Sequence, residues 1–229
     1  MDWLNGIIPL YKPRGITSFD CVSKIRRILH VRKVGHSGTL DPDVDGVLPI
    51  CVGSATKVVR YLMNFGKVYR GSITLGFSTS TEDLSGTVIK SKPLTGPVPT
   101  SLINKKMKLL ISPRLVQIPP MYSAIRVNGK HLYQYARAGI KVQRPKHVVR
   151  VDDFRMIRPP QFDSRKHLQI IDFEVKCGKG TYVRSLATDL GRKLGLPAVM
   201  SNLTRVESGD FALSQTVTFA QLKRGADLH

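Results

Sequence analysis

Acidic residues are scarce in this sequence. Sixteen Asp and Glu stand against thirty-six Lys and Arg in 229 residues, which leaves a formal net charge of +20. So large a surplus describes a protein's partners more than its fold, and it predicts a polyanion, with nucleic acid ahead of an acidic membrane. A generally basic proteome is the alternative explanation. No run of five or six like charges occurs, so a disordered basic tail is not expected.

Cysteines and long apolar segments are also few. Cys21, Cys51 and Cys177 are widely spaced and form no Cys-x-x-Cys or Cys/His cluster, which argues against a zinc motif and indicates a reducing compartment. The first six residues lack a basic stretch, and Pro9 and Pro13 interrupt the apolar run, so a signal peptide is not expected. No segment approaches membrane-spanning length. These features predict a cytoplasmic protein with no membrane attachment, metal or cofactor.

The hydrophobic pattern predicts an interleaved set of strands and helices. Strands are expected over 7–11, 47–53, 68–76, 148–157, 168–177 and 203–213, and helices from Thr17 or Ser18 to about 29 and over 55–63, 97–110, 132–138 and 183–194. Residues 34–46 have no period and predict a loop. Because strands and helices do not alternate regularly, we predict an α+β fold with a largely antiparallel or mixed sheet and flanking helices. No linker divides residues 1–229, although 90–150 is a candidate insertion or subdomain.

Asp41 lies in the most unusual segment, VGHSGTLDP. Pro42 biases Asp41 toward an extended conformation and so presents its carboxylate in a fixed direction, where it can act as a nucleophile or base. The alternative is an Asx-turn or a helix cap, which explains most Asp-Pro pairs and which the residues alone favour. Asp43 and Asp45 follow, but the spacing lacks the glycine and distal glutamate of a calcium loop.

Four other side chains are candidate site residues, each with a structural alternative. His36 is a general base or stacking group, or a loop histidine with one hydrogen bond. Tyr69 and Tyr182 are aromatics that can stack on an extruded base, or core and boundary residues. Arg184 can pair bidentately with a carboxylate, or is a surface cation. The segment GKGT at 178–181 lacks the spacing of a phosphate-binding loop.

The segment GHSGTLDPDVDGVLPICVGSATK resembles the catalytic motif of the TruB family of tRNA pseudouridine synthases, which modify uridine 55 in the T-arm. The resemblance runs nearly end to end and in the same order. It continues through KPRGITSFDCVSKIRRIL, KVYRGSITLGFSTSTEDLSG, QIPPMYSAIRVNGKHLYQYARAGI, CGKGTYVRSLATDLGRKLG and NLTRVESGDF. It implies the pseudouridine-synthase fold and an isomerase, an intramolecular transferase that needs no cofactor or metal.

The resemblance also implies a role for each matching residue. The catalytic aspartate falls on Asp41, and the arginine paired with it falls on Arg184. The remaining positions are the stacking histidine His36, the base-packing tyrosine Tyr69, the substrate-contacting Tyr182, the pocket leucine Leu203, and the supporting Lys12 and Asp83. These implied roles reverse the structural interpretation of Asp41, Tyr69 and Arg184.

The implied reaction breaks the N1–C1′ bond of a flipped uridine, turns the uracil and rejoins it through C5. Attack of Asp41 at C1′, addition to C6 and removal of a sugar proton are all compatible with the sequence. The expected partner is the tRNA T-arm, bound by a monomer. Family members often continue into a small RNA-binding domain of the PUA kind, and no such domain is evident here. Two rivals remain open, a non-catalytic RNA-binding or tRNA-folding module and an enzyme guided to rRNA sites.

Overall fold

The computed structural model of the protein describes residues 4–226. Residues 1–3 and 227–229 lie outside the described residues. The predictions for the start of the chain and for a domain over 1–229 extend to these residues. The described helices are α1 (Ser18–Leu29), α2 (Val59–Leu62), α3 (Thr100–Lys108), α4 (Leu132–Arg137), α5 (Val183–Leu194) and α6 (Phe219–Ala226), with 3-10 helices at Gly53–Val58 and Leu213–Gln215.

The strands are mostly short and lie between residues 6 and 212. They are β1 (Gly6–Lys12), β2 (Val34–His36), β3 (Asp45–Val52), β4 (Lys67–Leu75), β5 (Phe77–Thr79), β6 (Val88–Ser91), β7 (Ser112–Gln117), β8 (Arg126–Val127), β9 (Lys130–His131), β10 (His147–Met156), β11 (Gln161–Asp163), β12 (Leu168–Cys177), β13 (Ala198–Ser208) and β14 (Phe211–Ala212). The chain divides into two compact units. The terminal unit comprises the chain up to Arg70 and from Leu203 onward, and the middle unit is Gly71–Asn202.

In the terminal unit, β3 is the central strand. It pairs antiparallel with β1 from Gly6↔Val52 to Lys12↔Gly46, and antiparallel with β2 at its C-terminal end. Its N-terminal end pairs in parallel with β13, with Arg205 opposite Gly46. A Cβ at Gly46 would lie 2.1 Å from the backbone oxygen of Arg205, and Gly46 has φ +112. Only glycine therefore permits these two strands to approach so closely.

Helix α1 begins where the sequence predicts. Thr17 is its N-cap, and the Thr17 hydroxyl accepts the Asp20 N–H at 3.0 Å while the Asp20 carboxylate accepts the Thr17 N–H at 2.8 Å. This reciprocal pair satisfies two backbone donors at the start of the helix. The buried face of α1 packs into a core with strands β1 to β3, and α6 contributes Phe219 and Leu222 to the edge of that core.

The middle unit is built on antiparallel strands. β10 pairs with β7 on one side and β12 on the other, and β11 pairs with β12. The amphipathic helix α5 buries Leu186, Ala187 and Leu190, as its spacing predicts. Together with the parallel pairing of β3 and β13 in the terminal unit, this architecture confirms the α+β prediction with a mixed sheet and flanking helices.

Several elements differ from their predicted form. Residues 34–36, predicted as loop, form β2, because three residues are too few to show a period. The predicted helix over 55–63 is a 3-10 helix followed by the single turn α2. The last long strand begins at Ala198 and not at 203. None of the helices within residues 4–226 has the length and apolar character that a membrane span requires.

Candidate active site

Asp41 lies in the loop that connects β2 to β3. The preceding residue is locked in place, because the Ser18 hydroxyl accepts the Leu40 N–H at 2.9 Å and lies 3.2 Å from the Leu40 carbonyl oxygen. After Asp41, the Val44 N–H donates to the Asp41 carbonyl at 3.1 Å and closes a turn. The half-buried Asp41 side chain is therefore carried by a backbone that is held on both sides.

Lys12 binds the backbone of the same loop. Its side chain is fully buried, and Nζ donates to the carbonyl oxygens of Pro13 at 3.0 Å, Pro42 at 3.1 Å and Val44 at 2.7 Å. Burial lowers the pKa of Lys12, and nearby acidic groups, Asp41 among them, act in the opposite direction. Lys12 thus supports Asp41 by binding the backbone on its C-terminal side.

Arg205 is a second buried cation beside this loop, and the sequence interpretation missed it. Its side chain is only 1% exposed, with Nε donating to the Val47 carbonyl at 2.7 Å and Nη2 to the Gly38 carbonyl at 3.0 Å. Gly38 has φ +86, and a Cβ there would lie 3.3 Å from Nη1 of Arg205. The glycine permits both the turn and the close approach of the guanidinium.

His36 ends β2 and is half buried. Burial is the main cause that lowers the pKa of His36, and the Arg205 charge adds to it, so the imidazole is neutral at neutral pH. Among the described residues, its Nδ1 is buried without a hydrogen-bond partner, as is the hydroxyl of Ser37. A neutral ring of this kind offers a flat face to an aromatic ligand.

The terminal unit also carries Tyr69 and Leu203. Tyr69 lies on β4 and is 9% exposed, and Leu203 lies on β13 and is 6% exposed. Arg14 Nη2 lies 3.4 Å from the Leu203 carbonyl oxygen, and Nε of Arg14 forms an ion pair with Asp45 at 3.2 Å. Both predicted contact residues are therefore largely buried side chains on strands.

Arg184 belongs to the middle unit and occupies the first turn of α5. It is 6% exposed. Its Nη1 donates to the Thr81 carbonyl at 3.1 Å and lies 3.7 Å from the Asp83 carboxylate, and its Nη2 donates to the Tyr122 carbonyl at 3.0 Å. This burial excludes the alternative of a surface cation.

Asp83 organises the loop that faces Arg184. Its Oδ1 accepts from the Thr81 hydroxyl at 2.6 Å, the Ser85 N–H at 3.0 Å and the Ser85 hydroxyl at 2.5 Å. Its other carboxylate oxygen is the one nearest Arg184. The middle unit thus brings together two of the predicted site residues, Asp83 and Arg184.

Tyr182 is the N-cap residue of α5, and its backbone is held by Gln117. The Gln117 side-chain oxygen accepts the Tyr182 N–H at 3.1 Å, and the side-chain nitrogen donates to the Tyr182 carbonyl at 3.2 Å. Gln117 is fully buried. Gln117 is a polar residue two positions before Pro119, and this sequence context does not predict that it holds the backbone of Tyr182.

The predicted residues therefore divide between the units. Asp41, His36, Tyr69, Lys12 and Leu203 belong to the terminal unit, and Arg184, Tyr182 and Asp83 belong to the middle unit. Within residues 4–226, no group of three or more His, Cys, Asp and Glu side chains is arranged to hold a metal ion.

Two family models match the chain. The N-terminal domain of TruB family pseudouridylate synthases matches residues 26–183, and the C-terminal domain of tRNA pseudouridylate synthase B matches residues 184–227. These matches define the chain as a pseudouridylate synthase. It belongs to the TruB family, which confirms the resemblance found in its motifs.

Close relatives carry the family's name. The tRNA pseudouridine synthase B of Levilactobacillus brevis is 59% identical over 220 residues, which cover 96% of this chain and 72% of the relative. The protein of the same name from Pediococcus pentosaceus is 58% identical over 224 residues, which cover 98% of this chain and 75% of the relative.

Solved structures support the fold. The crystal structure of a Cbf5-Nop10-Gar1 complex matches with a TM-score of 0.70 and 31% identity over 96% of this chain. An archaeal box H/ACA sRNP Nop10-Cbf5 complex matches with a TM-score of 0.65 and 29% identity over 97% of the chain. The chain spans 54% of the matched chain in each of these two structures. The predicted pseudouridine-synthase fold is confirmed.

Proposed function

We propose that this protein isomerises uridine 55 in the T-arm of tRNA to pseudouridine, with Asp41 as the catalytic residue. Membership of the TruB family and relatives named tRNA pseudouridine synthase B at 58–59% identity support the tRNA substrate. The net charge of +20 suits a phosphate-rich partner. The carrying observation is the Asp41 loop, in which Lys12 and Ser18 hold the backbone on either side of the carboxylate.

Asp41 is the group that acts on the flipped nucleoside, by attack at C1′, addition to C6 or removal of a sugar proton. A fixed loop suits any of these steps, since a carboxylate that is already aimed loses little freedom on reaching the reactive geometry. Arg184 is the cation that keeps this carboxylate ionised and aimed. Asp83 supports Arg184, and Lys12 supports the loop.

The remaining side chains receive the substrate. Tyr69 packs against the target base, and Tyr182 and Leu203 contact the uridine. His36 stacks in the position that the extruded base leaves, a role that suits its neutral ring. The enzyme acts as a monomer in the cytoplasm, within one catalytic domain and without a cofactor.

The test is incubation of the purified protein with unmodified tRNA transcript and no guide RNA, followed by mapping of pseudouridine. The proposal predicts one modified position, the T-arm uridine. A protein that binds the transcript without modifying it would be an RNA-binding module, and modification that requires a guide RNA would favour the rRNA-type rival.

A further inference from the structure

Glu82 is a largely buried carboxylate on a strained backbone. Its φ of 66° lies in the left-handed region that residues other than glycine rarely adopt, and its side chain is 16% exposed. Hydrogen bonds hold this conformation, because the Glu82 N–H donates to Thr79 at 3.3 Å and its carbonyl accepts the Met200 N–H at 3.1 Å. Backbone strain that the surroundings enforce in this way is concentrated at functional sites.

The Glu82 carboxylate has two side-chain partners. Oε2 accepts from the Ser185 hydroxyl at 3.0 Å, and Oε1 lies 3.5 Å from Nη1 of Arg144. Each partner also contacts a neighbouring backbone segment, since the Ser185 hydroxyl lies 3.2 Å from the Ile118 carbonyl and Arg144 Nη1 donates to the Pro119 carbonyl at 3.0 Å. We call residues 118–122 the strap. Glu82 therefore anchors the two side chains that hold the start of the strap.

The other end of the strap contacts Arg184. The Tyr122 carbonyl accepts a hydrogen bond from Arg184 Nη2 at 3.0 Å. The two residues that flank Glu82 contact Nη1 of the same guanidinium. Thr81 does so through its carbonyl oxygen and Asp83 through its carboxylate. Thr81 and Asp83 are thus each one residue from Glu82, and Tyr122 lies on the strap that Glu82 anchors.

We propose that Glu82 is a positioning residue, which holds Arg184 in one orientation through Ser185, Arg144 and the strap. The inference rests on the proposed function, in which Arg184 assists Asp41. It adds a residue that touches neither substrate nor the reacting atoms.

The negative charge of Glu82 suits this arrangement, because its Oε1 lies 3.5 Å from the Arg144 guanidinium. Burial raises the pKa of Glu82, as does the charge of Asp189, whereas Ser185, Arg144 and Arg184 lower it. A carboxyl group with a raised pKa takes up its proton at a higher pH than an exposed glutamate does. Positioning therefore weakens as the pH falls through that raised pKa.

The substitution Glu82→Gln tests the role of the charge, since glutamine retains the shape and an oxygen for Ser185. In single-turnover reactions with excess enzyme at neutral pH, we expect the rate to fall at least about tenfold, which corresponds to about 1.4 kcal/mol. The affinity for tRNA should change little. The wild-type rate should decline on the acidic side of the pH profile, and the variant should lack the part of this decline that arises from Glu82.

Asp189→Asn is the matched control. Asp189, on α5, is likewise a largely buried carboxylate whose pKa is raised by burial, but it pairs with Arg192 at 3.0 Å. We expect a near wild-type rate at neutral pH. Because Asp189 raises the pKa of Glu82, its removal should shift the acidic decline to lower pH.

Limited trypsin digestion gives a second readout that does not depend on activity. Cleavage after Arg126, Lys130 or Arg137, which follow the strap, should accelerate in Glu82→Gln and not in Asp189→Asn. If Glu82→Gln lowers the melting temperature strongly, Arg144→Gln breaks the same link from the more exposed side and should reproduce both effects.

The two proposals fail in different ways. A wild-type protein that forms no pseudouridine refutes the proposed function, while the cleavage pattern still tests the strap. Wild-type rates, pH profiles and cleavage patterns in both Glu82→Gln and Arg144→Gln would overturn the role of Glu82.

Discussion

Replacement of Arg205 by methionine should loosen the Asp41 loop, because it removes the buried guanidinium that binds Gly38 and Val47. Each of the two hydrogen bonds from a charged donor contributes about 1.5–3 kcal/mol. Release of a buried charge offsets part of this sum, so the net loss of unfolding free energy should be about 2–4 kcal/mol. For a chain of this size, the melting temperature should fall by roughly 5–15 °C.

The same variant should change the titration of His36. Arg205 is the second cause of the lowered pKa of His36, so its removal should raise that pKa, and burial should still keep it below 6.5. Folded His36 binds its proton less readily than it does in the unfolded chain, so the wild type loses stability as the pH falls below about 6.5. This loss should be smaller in Arg205→Met.

Three measurements on Arg205→Met test this reasoning: thermal unfolding, an NMR titration of the histidine ring protons and single-turnover pseudouridine formation. Arg155→Met is the control, since Arg155 is 61% exposed and pairs with Glu174 at the surface. Arg155→Met should match the wild type in all three. If Arg205→Met also retains the wild-type stability, the wild-type His36 pKa and the wild-type rate, Arg205 does not hold the loop.

Three further predictions address recognition, the base pocket and the strand junction. The affinity for tRNA should fall steeply with added salt, with a log–log slope that corresponds to several phosphates, and a flat titration would refute a phosphate-dominated interface. Tyr69→Phe should bind tRNA normally but turn over much more slowly if the hydroxyl relays the C5 proton; wild-type turnover would reduce Tyr69 to a packing residue. Gly46→Ala should unfold at a much lower temperature than Gly6→Ala, because an added Cβ meets the Arg205 backbone at Gly46 and nothing within 4 Å at Gly6; equal melting temperatures would contradict the close strand contact.

Much of the fold could be predicted because its signals are local. The capping box of α1 is formed by Thr17 and Asp20, which are three residues apart, and the apolar residues of α5 recur at helical spacing. Apolar residues alternate with charged residues over 171–177, which predicts β12 with an exposed Asp172, but Asp172 departs from this pattern. It is buried, where it accepts from Ser72 at 2.5 Å and pairs with Arg158 at 2.6 Å. A charged residue on an alternating strand predicts exposure, and only the neighbouring strands reveal its partners.

The motifs predict the candidate site residues, the supporting Lys12 and Asp83 among them, but they do not indicate three further residues that hold neighbouring groups in place. Arg205, Gln117 and Glu82 are polar residues whose types favour the surface, yet each is mostly or fully buried. Their partners lie far away in sequence, as with Arg205 and Gly38. Local pattern carries no information about such pairings. The roles assigned to the site residues themselves are predictions, and substitution of these residues tests them.

The central claim is that Asp41 is the catalytic residue, and Asp41→Asn tests this claim most directly. Asparagine has nearly the same shape but cannot act as an anionic nucleophile or base. The measurement is single-turnover pseudouridine formation with excess enzyme, since slow product release then cannot hide the chemical step, with filter binding of the same tRNA in parallel. Asp43→Asn, an exposed aspartate in the same loop, is the matched control and should react at the wild-type rate.

We expect Asp41→Asn to fold, to bind tRNA within a few-fold of wild type and to form no detectable pseudouridine. Turnover at even about a tenth of the wild-type rate, a change of only about 1.4 kcal/mol in the barrier, would show that Asp41 is not the catalytic residue.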